Sequence, residues 1–341
     1  MGNTQSVIIT GATGFIGSHF LDLLLTGEVE ETETVVCLDL LTYAGRMENL
    51  EHHLENRNFK FIKGDIGDQS LVSDILEKNS IDWVVNFAAE THVDRSIEGP
   101  DAFIETNIVG THELLKATLN YFNQLEDKKK HSFRFLHIST DEVYGSLETE
   151  DPAFTEENQY APNSPYSASK ASSDHLVRAY HHTFGLPTLI TNCSNNYGPR
   201  QFPEKLIPLI ITNAVAGKDL PIYGDGLNIR DWLYVVDHCT GILRVLQKGT
   251  PGETYNIGGN FEKTNIEIVD TLCSILDEVK AKDDGNSYLS QKTFVTDRKG
   301  HDRRYAIDCS KIEKELFWSP TETFESGIQK TVSHYLESKQ Q

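Results

Sequence analysis

The 341-residue chain sets 31 Lys and Arg against 51 Asp and Glu, a formal net charge of −20. So negative a surface repels nucleic-acid phosphates, and polynucleotide binding is not expected, whereas a small phosphorylated ligand can still bind where basic groups gather in one cleft. Hydrophobic residues, at 38%, suffice for a large core and two lobes, and no apolar run approaches the roughly 20 residues of a membrane-spanning helix, so no membrane association is expected.

The polar Met1–Ser6 segment leads straight into a strand, so no signal peptide is expected. Ser6–Thr10 (SVIIT) is a short apolar run ending in a glycine-rich turn, and Phe15–Thr26 then repeats apolar residues at helical spacing. Further strands are predicted at Thr34–Leu38, Phe59–Ile62, Trp83–Ala88, Phe133–Ile138 and Pro187–Thr191. Helices are predicted between them at Asp68–Asn79, Pro100–Tyr121 and Pro165–Phe184. Alternation of this kind predicts a parallel sheet covered by helices on both faces. After Cys193 the pattern becomes irregular. A turn-rich Pro199–Pro208 stretch precedes a helix at Leu206–Ala216, Tyr234–Val236 and Thr254–Ile257 read as short strands, and Lys280–Ser290 as a polar loop. Five scattered cysteines (Cys37, Cys193, Cys239, Cys273, Cys309), odd in number and without a ligand-spaced pair, predict free thiols, no metal site and a reducing, cytoplasmic setting.

Thr10-Gly11-Ala12-Thr13-Gly14-Phe15-Ile16-Gly17 lies between the first strand and the first helix. Glycine is needed where the backbone turns tightly and must approach a pyrophosphate, and the helix N-terminus then offers free N–H groups to the phosphates. The G-x-x-G-x-x-G spacing resembles the dinucleotide fingerprint of the short-chain dehydrogenase/reductases. Gly11, Gly14, Phe15, Ile16 and Gly17 are accordingly the expected cofactor contacts. Asp39 closes the second strand, where a carboxylate can bond both ribose hydroxyls and repel a 2′-phosphate, so the expected cofactor is NAD rather than NADP. Asp65 and Ile66, after the third strand, are placed near the adenine, and Ala88, after the fourth, completes the set. The expected fold class is α/β: a Rossmann-type doubly wound parallel sheet with a smaller C-terminal α/β substrate-binding lobe. Residues 1–192, with return segments near 226–260, form the first unit and 193–341 mainly the second.

Tyr166-Ser167-Ala168-Ser169-Lys170 places a phenol and an ammonium four residues apart on one helical face, where the ammonium favours the phenolate. It follows Ser139-Thr140-Asp141-Glu142-Val143-Tyr144-Gly145 by one strand–helix step. With the glycine turn these make up the three-part signature of the extended short-chain dehydrogenase/reductases. The likeness extends to Leu41–Gly45, Ala88–Ser96, Asn195–Pro199, Pro203–Pro208, Arg230–Trp232, Tyr255–Gly259 and Gly300–Tyr305. Over nearly the whole chain the sequence thus resembles the dTDP-glucose 4,6-dehydratases. That resemblance implies Tyr166 as the base on the sugar 4-hydroxyl and Lys170 as the partner of the nicotinamide ribose. It also implies Thr140 beside O4, Glu142 as the base at C5 and Asp141 as the acid at the C6 hydroxyl. Two adjacent carboxyls can hold opposite roles if their environments differ.

The resemblance also implies sugar or diphosphate contacts at Asn196, Glu204, Lys205 and Arg230, and further ones at His92, Asn265, His301 and Tyr305. It implies a nucleotide-diphosphate sugar substrate and a homodimer built through the Pro100–Tyr121 and Pro165–Phe184 helices. Arg200 stands where such enzymes often carry tyrosine; it is expected to add charge near the diphosphate or reshape the sugar pocket. A UDP-glucose 4,6-dehydratase shares the same chemistry and stays open. A UDP-sugar 4-epimerase or decarboxylase is disfavoured by the Asp141–Glu142 pair, and a non-catalytic NAD-sensing scaffold by the intact tyrosine and lysine.

Overall fold

The computed structural model describes residues 5–26 and 32–337. Seven parallel strands form the main sheet: β1 (Gln5–Thr10), β2 (Thr32–Asp39), β3 (Phe59–Lys63), β4 (Trp83–Asn86), β5 (Arg134–Thr140), β6 (Thr188–Cys193) and, later in the chain, β10 (Thr254–Ile257). Their spatial order is β10-β6-β5-β4-β1-β2-β3. The order reverses at β1, and a crevice opens beyond the strand ends at such a switch point. Helices cover both faces, so β1, β4 and β6 are buried along almost their entire length, and β1 and β4 accordingly carry apolar runs (Val7–Ile9, Trp83–Val85) rather than an alternating pattern. One core, with Val7, Ile9, Phe20 and Val85, fills the first face, and a second, with Ile8, Val36, Leu114 and Phe135, fills the other.

The predicted helices end where local chemistry stops them. Asp68 caps the Gln69–Lys78 helix by accepting from Leu71 N at 3.0 Å. Ser164 and Ser167 form a reciprocal capping box for the Pro165–Phe184 helix, Pro165 occupies its first position, and Gly185 ends it at φ 71°. The stretch predicted as one helix over Pro100–Tyr121 is interrupted: Ile104–Gly110 winds as a π-helix before Thr111–Gln124 resumes the α form. This wider turn carries Asn107 into the interior, where its side chain bonds Glu90 N (2.8 Å), Glu90 O (3.0 Å) and Ser169 Oγ (2.8 Å). Periodicity alone cannot show such an insertion.

Beyond Cys193 the chain builds β7 (Asn195–Tyr197), β8 (Leu220–Tyr223), β9 (Ile229–Tyr234), β11 (Glu262–Thr264) and β12 (Lys292–Val295). These pair as a three-stranded sheet, β11-β9-β7, and a two-stranded one, β12-β8. The strand expected at Tyr234–Val236 ends at Tyr234, and a helix, Val235–Lys248, starts at once. The sequence reading had not assigned that helix, nor Asn265–Val279 and Phe324–Glu337. A third core holds this region together, with Tyr197, Ile210, Trp232, Leu272 and Ile328 at its centre. Among the described residues, no helix is long and apolar enough to cross a membrane. All five cysteines are buried and free.

Candidate active site

A cleft of about 320 Å³ runs from the glycine turn to the start of the second lobe, lined by Gly11, Asp39, Ile66, Ala88, Tyr166 and Lys205 among others. The glycines are there for steric reasons. Gly11 has φ +69°, and a Cβ on it would lie 2.8 Å from Ala88 N. A Cβ on Gly17 would lie 2.6 Å from Gly11 O. No side chain caps the Phe15–Leu25 helix, whose N-cap is Gly14, so its first N–H groups stay available at the cleft. Asp39 does more than the sequence implied. Its Oδ2 accepts from Thr13 N at 3.0 Å and its Oδ1 from Leu41 N at 2.8 Å, so it braces the glycine turn as well as facing the cleft. Asp65 and Ile66 also line the cleft; Asp65 Oδ1 holds Gly67 N at 2.7 Å. This cradle, closed to any side chain at two glycines and bearing the Asp39 carboxylate at the end of β2, fits a dinucleotide without a 2′-phosphate.

Thr140, Asp141, Glu142, Tyr166 and Lys170 converge on the same wall. Thr140 ends β5 and its Oγ1 accepts from Glu142 N at 3.3 Å, which sets the 3₁₀ turn Asp141–Tyr144. Asp141 is 2% exposed, and its Oδ2 has no hydrogen-bond partner. Burial, with the charges of Glu142 and Asp231, holds its pKa well above the usual carboxylate range. Glu142 is also raised by burial, but the cations Lys205 and Arg230, and then Arg298, pull it back. The two neighbours therefore differ in their surroundings: Glu142 and Asp231 are the strongest charges on Asp141, Lys205 and Arg230 the strongest on Glu142.

The Lys170 ammonium, placed by its spacing on the helical face of Tyr166, makes its hydrogen bonds to β5. Its Nζ donates to Ile138 O at 2.8 Å and lies 3.2 Å from His137 Nε2. Burial, then Glu142 and Cys193, keeps the Tyr166 phenol well above its ordinary pKa, and the group opposing them is the Thr140 hydrogen bond. A pair at i and i+4 shares a helix face, but the strands packed on that face decide which group the ammonium meets.

Of the expected substrate contacts, Asn196 and Lys205 line the cleft, whereas His92, Glu204, Arg230, Asn265 and His301 stand outside its wall. Arg230 is pinned by the carbonyls of Ile229 (2.7 Å) and Asp302 (3.0 Å) and lies 4.2 Å over the Tyr305 ring, with its charge acting on both Asp141 and Glu142. Lys205 Nζ donates to Thr91 O at 3.2 Å. Glu204 faces His92 at 3.5 Å and Arg95 at 3.4 Å, and His301 is held by Asp297 at 2.6 Å. The Asn196 amide is engaged by His238 (2.9 Å) and Ser194 O (3.0 Å). Asn265 starts the Asn265–Val279 helix, and its N–H donates to Asn228 O at 3.0 Å.

Arg200 lines the cleft, yet its guanidinium is taken by Asp22 at 2.7 Å, and that carboxylate also meets His52 (2.8 Å) and His53 (2.7 Å). Its charge is thus compensated within this cluster. Arg298, absent from the sequence reading, joins Lys205 and Arg230 around Glu142 and pairs with Asp94 at 3.0 Å. Nothing in the sequence separated it from Arg303, bound to Asp225, or Arg304, bound to Glu262.

The family described as GDP-mannose 4,6 dehydratase matches residues 8–331. A curated dTDP-glucose 4,6-dehydratase of Xanthomonas campestris pv. campestris is 58% identical over 329 residues, covering 96% of this chain and 92% of that protein. Another, from Escherichia coli K12, is 55% identical over 340 residues, covering 97% and 93%. Among solved structures, DesIV, a dTDP-glucose 4,6-dehydratase of Streptomyces venezuelae with NAD and TYD bound, superposes with a TM-score of 0.89 at 45% identity, covering 98% of each chain. A UDP-glucose 4-epimerase of Thermotoga maritima also superposes, with a TM-score of 0.84 at 28% identity over 98% of this chain and 99% of that one, so the scaffold alone does not separate the two chemistries. Identity above one half along nearly the full length, together with the Asp141–Glu142 pair at the head of the cleft, decides between them: the chain belongs to the dTDP-glucose 4,6-dehydratase family.

Proposed function

We propose that this chain converts dTDP-glucose into dTDP-4-keto-6-deoxyglucose, with NAD held in the glycine-lined cleft. The observation that carries the reading is the difference between the environments of the two adjacent carboxyls. Burial and the charges of Glu142 and Asp231 hold Asp141 well above the usual carboxylate range, which suits it to donate; Glu142 is raised by burial but opposed by Lys205, Arg230 and Arg298, which suits it to accept. NAD bound in this cleft would supply the hydride acceptor for C4 and the hydride donor for C6. Tyr166 removes the O4 proton, with Thr140 orienting that oxygen. The 4-ketone acidifies C5–H, Glu142 takes this proton, and Asp141 protonates the departing C6 hydroxyl so that water leaves; as hydride reaches C6, Glu142 gives the proton back to C5, and the proton taken by Tyr166 is passed on to restore Asp141. Lys170 holds the nicotinamide ribose. Gly11, Gly14, Phe15, Ile16, Gly17, Asp39, Asp65, Ile66 and Ala88 hold the dinucleotide.

Arg230, Lys205 and Arg298 form the diphosphate end of the substrate site, supported by their shared field at Glu142. His92, Asn196, Glu204, Asn265 and His301 act around them, bonded as described. The dinucleotide unit takes in residues 1–192 with returns near 226–260, and 193–341 is mainly the substrate lobe. The enzyme works as a homodimer in the cytoplasm. Exposed Ile104, Val109 and Phe184 on the two helices named for the interface support the dimer, and the buried free cysteines support a reducing compartment. Incubation with dTDP-glucose and, separately, UDP-glucose, followed by mass spectrometry, tests the activity. Loss of one water without net NADH, faster for dTDP-glucose, is expected; an epimer of unchanged mass would refute it. Light scattering tests the dimer, and a monomer at working concentration would exclude it.

A further inference from the structure

Behind the cleft, between β5 and the Pro165–Phe184 helix, lies a buried polar group that the chemistry above does not use. His137, Ser139, Ser173 and Asp174 are all buried there. Ser139 Oγ donates to Asp174 Oδ2 at 2.8 Å. The other carboxylate oxygen has no regular hydrogen bond and faces His137 Nε2 at 3.5 Å. The same nitrogen lies 3.2 Å from Lys170 Nζ. On its far side the imidazole is fixed by Asn86, whose Nδ2 lies 3.1 Å from Nδ1 and whose Oδ1 accepts from Thr10 Oγ1 at 2.6 Å. Burial, with the Lys170 charge, keeps this ring neutral. The lysine and the aspartate therefore form no ion pair with each other; both meet Nε2 of a clamped, uncharged ring, which Ser173 Oγ also approaches at 3.2 Å.

This arrangement has a physical logic. A buried ammonium without a counter-charge gives up its proton, because burial disfavours the charged form. A carboxylate in direct contact would keep the proton but would draw Nζ away from the cleft that Lys170 lines. With both groups on His137 Nε2 rather than on each other, the Coulomb attraction persists through a poorly screened interior, while the contact that would capture the ammonium is denied. We infer that Asp174 is a positioning residue for the reaction: sharing His137 Nε2 with Lys170, it supplies the counter-charge that keeps Lys170 an ammonium facing the cleft. The inference rests on the reading of Lys170 as the charged partner of the nicotinamide ribose.

The neighbours on every side agree with it. Burial brings Lys170 down to about 8, opposed first by Asp174 and then by Cys193 of β6. Burial pushes Asp174 up to about 6, opposed first by Lys170, then by hydrogen bonds from Ser139 of β5 and Tyr160 of the preceding loop, and by His175 on its own helix. Between those two values both groups are charged. Removing Asp174 lowers the Lys170 pKa, so the ammonium is lost at a lower pH.

The test is the pH profile of kcat with dTDP-glucose in Asp174→Asn and Asp174→Glu, each checked for bound NAD and for Tm. In Asp174→Asn the alkaline limb is expected to move down by about one pH unit or more, while Asp174→Glu holds it near the parent position. A kcat reduced by one factor at every pH, with the limb unmoved, would mean a structural role only and would overturn the inference. If Asp174→Asn does not fold, Asp174→Ser carries the same measurement, since the smaller hydroxyl can still meet Ser139. Lys170→Met, run alongside, tests the underlying reading. Turnover retained in that variant refutes the role of Lys170 itself, whereas a dead Lys170→Met with an unmoved Asp174→Asn limb refutes only the part given to Asp174.

Discussion

Replacing Asp141 by Asn separates the chemistry of this residue from its effect on the fold. Asparagine has nearly the same shape, and its carbonyl oxygen can still take the Thr140 hydroxyl that Asp141 Oδ1 meets at 3.3 Å. What is lost is an ionisable proton at Oδ2, an atom that has no hydrogen-bond partner among the described residues. A general acid contributes about 10²- to 10⁴-fold, so kcat should fall by that factor, equivalent to about 3–5 kcal/mol on the barrier. The preceding oxidation needs Tyr166 and Thr140, which are untouched. Stopped-flow absorbance should therefore show bound NADH appearing at close to the parent rate and then persisting, because water does not leave and the hydride cannot return. If NADH formation slows by the same factor as product formation, Asp141 acts before elimination and its assignment as the acid fails.

The same variant tests the origin of the raised pKa. An unperturbed Asp141 titrates at 3.8, and the folded state holds its pKa well above that. Below the unfolded value both states keep the proton, so no pH-dependent cost exists. As pH rises past it, the unfolded chain ionises while the folded one does not, and folding stability is lost until the folded pKa is reached. Asparagine carries no such cost. The Tm of Asp141→Asn relative to the parent should thus be more favourable at pH 7 than at pH 4, and an equal difference at both would show that the carboxyl is not held protonated.

Gly17→Ala should cut NAD affinity about tenfold or more, some 1.4 kcal/mol, because a Cβ 2.6 Å from Gly11 O and 2.9 Å from Ala12 Cα opens the turn; fluorescence titration reads this, and an unchanged Kd argues against the cradle. Arg230→Lys should raise KM for dTDP-glucose about tenfold with little change in fold, since lysine keeps the charge but loses the planar fork over Tyr305. Arg304→Ala should do the reverse. Its guanidinium is bidentate to Glu262 and bonds the Glu148 and Asp151 carbonyls, so thermal unfolding should show a loss of about 1–3 kcal/mol while KM stays at the parent value.

The parts of this site that were legible in the sequence are those encoded within a few residues of one another. The glycine turn, the Asp141–Glu142 pair and the Tyr166–Lys170 spacing each lie within a single strand–turn or helix, and local geometry fixes them. What stayed hidden depends on residues far apart in the chain. Lys170 meets His137, which is 33 positions away, because β5 packs beneath the helix. Arg200 is compensated by Asp22 across 178 positions. Asn196 reads as a free amide in the sequence, yet His238 takes its oxygen. The second lobe was obscure for a related reason. Its strands are three to six residues long, too short for a period to emerge, and they gain their partners only from distant segments, β9 between β7 and β11, and β8 beside β12.

Lys205, Arg230 and Arg298 are the charges that hold Glu142 toward its ionised form, and they are also the groups assigned to the diphosphate. A bound diphosphate neutralises part of their field. Glu142 then loses some of its stabilisation as a carboxylate and its pKa climbs further above 4.5, the value of an unperturbed glutamate. Substrate binding would in this way strengthen the base at the moment C5–H must be removed. The acid limb of kcat, which reports the enzyme–substrate complex, should accordingly lie at higher pH than the acid limb of kcat/KM, which reports the free enzyme. Profiles of both parameters measured with dTDP-glucose settle the point. Coincident limbs would show that the cations do not feel the diphosphate and that it binds elsewhere, whereas separated limbs that merge in Arg298→Met would tie the effect to this set.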